Sequence, residues 1–496
     1  MKIATRLFIS TLTYFLAISN CQGQQLILSP EINEPGFDHL KVVGQDAGGY
    51  YVLLSNLNLE NPNDRVGLKN RKTKLAYFDT MLNMKWMVPV KPFPEDAEIE
   101  AIGFIKDNIV VFSSVTERST GKVSFYSKSF NASGESIDPS SPFAIVGMEG
   151  DREKAILVSS IDKKRVALIV HSNIHVVRTA TQTDYILILD QELKLVEQKK
   201  FEIPYSEKLY SAYAYALSGR GDIASLGLLS DKPKGKRQFE YLSYYSPVSD
   251  TSTHHVIVGQ GKRVRGLGVE FDNIENRAIY AGFYENADAG MMAGILYAAM
   301  SMEPGSNLQL SAKPIDPKRN VKLAGRRYSR SGISLVNFPI QRLILRNNGG
   351  AVLVTEAAYT SDYSYYDYFM QSFTNRVEYH FDDIVVISID DTGEAEWSTV
   401  VDKEQISMDD GGYFSSFCSL LNSEELIVLF NDDISRDNQV IGITIDKTGT
   451  PRQQIAAKKD ARLLIVPRAG KQVSIDQILV PVNQRKSLLL ARFTFE

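Results

Sequence analysis

The stretch VVISIDDTGEAEW, from Val385 to Trp397, decides the fold. An apolar run ends on Asp390, two residues pass, Gly393 follows, and a second strand begins. Gly enters the left-handed backbone region at little cost, so Asp-x-x-Gly between two apolar runs is a hairpin signal. The same grammar recurs in LAYFDTMLNMKW (Asp79, Trp86), FYSKSFNASGES (Asn131, Gly134), YILILDQELKLVEQ (Asp190) and ITIDKTGTPRQQ (Asp446, Gly449). Neighbouring turns lie roughly 50 to 60 positions apart, the period of a four-stranded propeller blade. The predicted fold class is therefore all-β, a β-propeller.

Working outward, each repeat holds one nearly continuous apolar run. These begin at Tyr50, Ile109, Val166, Ile223, Ile279, Ala351, Leu426 and Ile478. A strand sandwiched between two neighbouring blades has no polar face, which is why the runs do not alternate. They predict eight blades, starting near His39, Ile99, Lys154, Lys208, Arg263, Phe338, Gly412 and Arg462; seven result if one unit is degenerate. The last unit is one strand short, and QLILSPEI (Gln25 to Ile32) is the spare strand that would complete it and remove two open sheet edges. One propeller domain is expected over 24–496, with insertions at about 316–337 and 359–383.

The bulk composition fits this reading. A chain of 496 residues that is 44% hydrophobic and 23% charged has the balance of a globular protein. Its 24 Tyr and 23 Phe suit pleated sheets. A net charge of -4 gives no global basic footprint, so a nucleic-acid partner is not expected. Residues 1–23 read as an export signal: Lys2 and Arg6 precede an apolar segment, Leu7 to Ser19, too short to span a bilayer. Cleavage after Gly23 would leave Gln24 first; lipidation at Cys21, with Ile18-Ser19-Asn20 as recognition sequence, is the alternative. No later run is long enough for a transmembrane helix. Cleavage would also leave Cys418 as the one thiol, read as a small buried hydrophobe, and the protein is expected to be a periplasmic, outer-surface or extracellular monomer.

Topology separates two faces. In a four-strand meander the tight first-to-second and third-to-fourth turns share one face, and the second-to-third loops and blade links share the other. The second face carries the irregular sequence, and long loops on a rigid scaffold are where binding concentrates. Its strongest candidate is Tyr359 to Asp383, which includes Tyr363, Tyr365, Tyr366 and Tyr368. These rings either form a stacking platform for sugars or a protein partner, or fold over the propeller mouth and bury one another. The link DPKRNVKLAGRRYSRSG, with Arg326 and Arg327, adds positive charge suited to an acidic glycan or a membrane head group, or is a solvated loop.

Polar residues recur at second-strand ends: Ser55-Asn56, Ser172-Asn173, Glu285-Asn286, Glu356 and Asn431-Asp432-Asp433. A ring of carboxylates there could bind Ca²⁺ or supply a glycosidase pair from residues such as Glu356 and Asp432; the alternative is that they cap strands. The six histidines have no metal-ligand spacing, and no Gly-x-Ser-x-Gly elbow is present.

The Asp-x-x-Gly-x-x-x-Trp hairpin (Asp390, Gly393, Trp397) resembles the repeats of quinoprotein-like propellers, and the mature chain is similar to an exported bacterial propeller family of that shape. The resemblance implies the fold. Quinone-cofactor enzymes also carry a vicinal disulfide and a full set of tryptophan docking residues, and this chain lacks both, so no cofactor is implied. The expected function is a binding or scaffold module for a protein or glycan, with a glycan-active hydrolase or lyase as the alternative.

Overall fold

The computed structural model describes residues 24–56, 72–148, 151–153, 155–173, 182–206, 208–233, 238–247, 250–257, 262–286, 292–301, 308–315, 338–367, 371–434, 438–458, 462–484 and 487–495. They form eight antiparallel sheets, the blades of one ring. All eight expected second strands are present, at Gly49–Ser55, Asn108–Glu117, Val166–Asn173, Ile223–Ser230, Arg277–Asn286, Ala351–Asp367, Glu425–Asn431 and Gln477–Gln484. The count is eight rather than seven because every apolar run found its own meander.

Packing explains the apolar runs. In the second blade Ile109 and Val111 face the first blade, while Val110 and Phe112 face the third. Eight such clusters occur among the described residues, one at each junction between consecutive blades, including the junction of the eighth with the first. Each fully buried Leu, Ile or Phe contributes about 1.5–3 kcal/mol, so the blade faces hold the ring together.

The ring is closed as the sequence predicts. Gln24–Leu28 pairs antiparallel with Ser487–Phe495, from Gln24 opposite Phe495 to Leu28 opposite Ala491. Leu26 and Leu28 pack into the cluster between the seventh and eighth blades, and Ile27 and Ile32 into that between the eighth and first.

The two tryptophans show what the repeated turn does. Trp397, on the last strand of the sixth blade, lies over the turn of the seventh, where its Nε1 donates to Lys447 O at 3.0 Å. Gly449, at φ +82°, sits beneath it; a Cβ there would come within 2.5 Å of the indole. Trp86 repeats the arrangement on Gly134, with Nε1 donating to Ala132 O at 2.8 Å. The glycine is thus required twice, for the left-handed turn and for the neighbouring ring above it.

Candidate functional site

Blade six departs from the others. Its second and third strands, Ala351–Asp367 and Ser372–Ile389, run well past the blade, and its fourth, Ala395–Met408, follows them. The Tyr359–Asp383 segment, read from sequence as irregular, is therefore a regular arm on the long-loop side. Its Tyr, Thr, Val and Phe content favours a pleated ladder even where no blade covers it. Register shifts between Glu356 and Ala358 and between Asp382 and Ile384 mark where the blade ends and the arm begins. Such bulges re-aim the strands without breaking them.

One side of the arm packs on the link into blade seven and on Arg468 of blade eight. Phe381 lies against Gly412, at φ +68°, and under the Arg468 guanidinium, 5.2 Å from the ring centroid. Arg468 Nη2 donates to Gly411 O at 2.6 Å and Gly412 O at 2.8 Å, and Ser407 Oγ donates to Asp410 Oδ1 at 2.6 Å. The other side carries Tyr359 and His380, opposite one another in register and stacked with centroids 4.5 Å apart and planes 5° from parallel. Continuing that row outward come Ile406, opposite His380 and 46% exposed, and Met408, opposite Glu378 and 48% exposed. At the far end Arg376 Nη1 donates to Asp409 Oδ2 at 2.6 Å; the backbone N–H of Val377 first, and then this bond, hold the Asp409 carboxyl below its usual range.

The arm stands on a buried ionic footing that sequence reasoning missed. Lys403 Nζ lies 2.9 Å from Glu356 Oε1, a fully buried ion pair. Ser416 Oγ donates to Glu356 Oε2 at 2.6 Å, and Lys403 Nζ donates to Gln405 Oε1 at 3.0 Å. Burial depresses the Lys403 pKa, and Glu356 opposes that shift. Gln405 Nε2 then donates to Asn431 O at 2.6 Å, and Asn431 Oδ1 accepts from Ile465 N at 3.1 Å, tying blades six, seven and eight. The signal was there in alternation: in VVDKEQISM, Lys403, Gln405 and Ser407 share the buried phase.

The expected site residues are distributed as follows. Glu356 is the buried anion of the footing, and Asp432 is exposed, with its N–H donating to Gln439 O at 2.9 Å. Tyr363, Tyr365 and Tyr366 lie on the arm's outer strand, with backbones opposite Arg376, Thr374 and Phe373. Tyr368, Arg326, Arg327 and the whole 316–337 segment lie outside the described residues, as do residues 1–23, read from sequence as an export signal, with Cys21. Among the described residues no group of three or more His, Cys, Asp or Glu is placed to hold a metal ion. Nor, among them, is any helix long and apolar enough to cross a membrane.

Residues from five consecutive blades, Ile161 through Leu421, also line an axial cavity of about 890 Å³. Within it burial raises the Glu270 carboxyl and lowers the Arg342 guanidinium, and Arg342 Nη1 donates to Ser419 Oγ at 3.2 Å.

No family model matches this chain, and no curated protein matches it. Among solved structures it is similar to the WD40 domain of SCAP from fission yeast, at 9% identity and TM-score 0.39, covering 95% of this chain and 98% of that one. It is similar also to the polysaccharide lyase Uly1, at 8% and 0.38 over 80% and 90%. A third is the β-propeller domain of the Trilobed protease from Pyrococcus furiosus, at 9% and 0.33 over 86% and 97%. At these identities the likenesses assign no activity or ligand; the chain is an eight-bladed β-propeller.

Proposed function

We propose that the protein is an exported binding or scaffold module, and that the arm of blade six is its contact surface for a protein or glycan partner. The supporting observation is the row in which the Tyr359–His380 stack is followed by the exposed Ile406 and Met408. Aromatic and aliphatic area carried on a rigid, ion-paired footing can meet a partner with little ordering cost. Tyr363, Tyr365, Tyr366 and Tyr368 extend this surface in the proposal, and Arg326 and Arg327 supply charge for an acidic partner. Glu356 serves as the footing and Asp432 as a flanking polar contact.

The glycan-active alternative asks Glu356 to act as acid, base or nucleophile. Fully buried against Lys403 and Ser416, its carboxyl fits a structural partner better than a group that meets substrate. The test is a glycan array and partner pull-down with mature protein, wild type beside Ile406→Ser/Met408→Ser. Loss of a specific partner in the variant, with an unchanged melting temperature, supports the arm. Equal capture by both proteins overturns it, and turnover of an arrayed glycan would favour the enzyme.

A further inference from the structure

A second polar site lies between blades three and four. A cavity of about 260 Å³ is lined by Glu153, His171, Gln182, Lys208, Tyr210 and Ser211. Its floor is built. His171 and Asp184 stand opposite one another on paired strands, both 4% exposed, with His171 Nδ1 2.6 Å from Asp184 Oδ1. Tyr215 OH, from the first strand of blade four, lies 3.2 Å from His171 Nε2 and donates to Asp184 Oδ2 at 3.4 Å. These bonds fix the imidazole from both nitrogens.

Gln182 is the second observation. Its side chain is only 6% exposed and its Oε1 has no hydrogen-bond partner. A buried amide oxygen left without a donor is unfavourable, and native proteins seldom keep one without reason. What it needs is an O–H or N–H from whatever occupies the cavity. His171 is already matched by Asp184 beneath it, and the lining offers one acid, Glu153, and one base, Lys208, which suits a neutral ligand better than an ion. The volume is below the roughly 300–1,000 Å³ of pockets that take drug-sized molecules, so it admits one small polar ring. Tyr210, in edge-to-face contact with Tyr241 at 5.2 Å, gives that ring a hard wall.

We propose that this cavity is a binding site for a single neutral pyranose, such as the terminal unit of a glycan, with Gln182 Oε1 accepting from a ring hydroxyl and Lys208 donating at the rim. The inference rests on the reading of the protein as a binding module, but not on the arm.

The test is saturation-transfer NMR and calorimetry on the mature protein with methyl glycosides of glucose, galactose, mannose and N-acetylglucosamine, and with methyl glucuronide. At least one neutral glycoside is expected to bind saturably. Gln182→Met, which keeps the volume and removes the acceptor, should weaken it about tenfold or more, and Lys208→Ala should weaken it less. The arm variant Ile406→Ser/Met408→Ser should bind the glycoside as wild type does, so failure of the arm and failure of the cavity are told apart. No binding by any glycoside at millimolar concentration overturns the proposal. So does binding that survives Gln182→Met in a folded protein, or preference for the glucuronide, which would make the site one for anions.

Discussion

Lys403 Nζ sits 2.9 Å from Glu356 Oε1, and neither side chain reaches solvent. Removing one partner of such a pair leaves a buried charge with no counter-ion. Lys403→Met is therefore expected to lower unfolding free energy by about 3–5 kcal/mol. Coupling it to Glu356→Gln removes the orphaned charge and should recover most of the loss. Denaturant titration of the single and double variants checks this. A single variant as stable as wild type would mean that the pair does not anchor the arm.

His171 makes stability depend on pH. Burial alone would depress its imidazole, yet the Asp184 hydrogen bond and charge, helped by Glu153, carry its pKa above the ordinary 6.5. Tyr215 bonds its other nitrogen, and Gln182, Lys208, Tyr210 and Ser211 line the same cavity. A raised folded pKa means the native state holds the proton more tightly than the unfolded chain. The stabilisation is thus complete below pH 6.5 and fades as pH rises through the folded value. The melting temperature of wild type, relative to His171→Gln, should fall across that window. A flat difference would show that the ring stays neutral.

Cys418 should be inert in the native protein. Enclosure pushes its thiol up to about 12, so little thiolate exists at neutral pH. An aromatic disulfide reagent should label it only after denaturant is added. Rapid labelling without denaturant would place the thiol at an opening.

Removing Gln24 to Pro30 should destabilise the ring. Leu26, Ile27 and Leu28 lose their places against two clusters, at about 1.5 kcal/mol each, and the strand of Ser487–Phe495 gains a bare edge. A truncated protein melting with wild type would refute closure by this strand.

The parts of the fold legible in sequence were those written locally. Asp390 and Gly393, or Asp446 and Gly449, set a turn within four residues, and an apolar run such as Val166 to Val170 announces burial on both faces. Even the closing strand was readable, because the eighth unit lacked one. The arm was not. Its strands leave the blade, one side meets water, and the resulting mix of Tyr, Ser and Asp resembles a loop. The Glu356–Lys403 pair was hidden for a different reason: it requires the register of three strands and two bulges together. His171 and Asp184 meet across a hairpin whose pairing no spacing rule revealed.

Pairing of Gln24 with Phe495 has a last consequence, for connectivity. Two positions almost a full chain apart are neighbours in one sheet, so a short linker could join them and fresh termini could be opened at an exposed turn such as Glu117–Thr120. Each such circular permutant would keep every blade junction and move only the seam. Where the polypeptide starts around the circle is then a matter of assembly order, free to vary without altering what the arm presents.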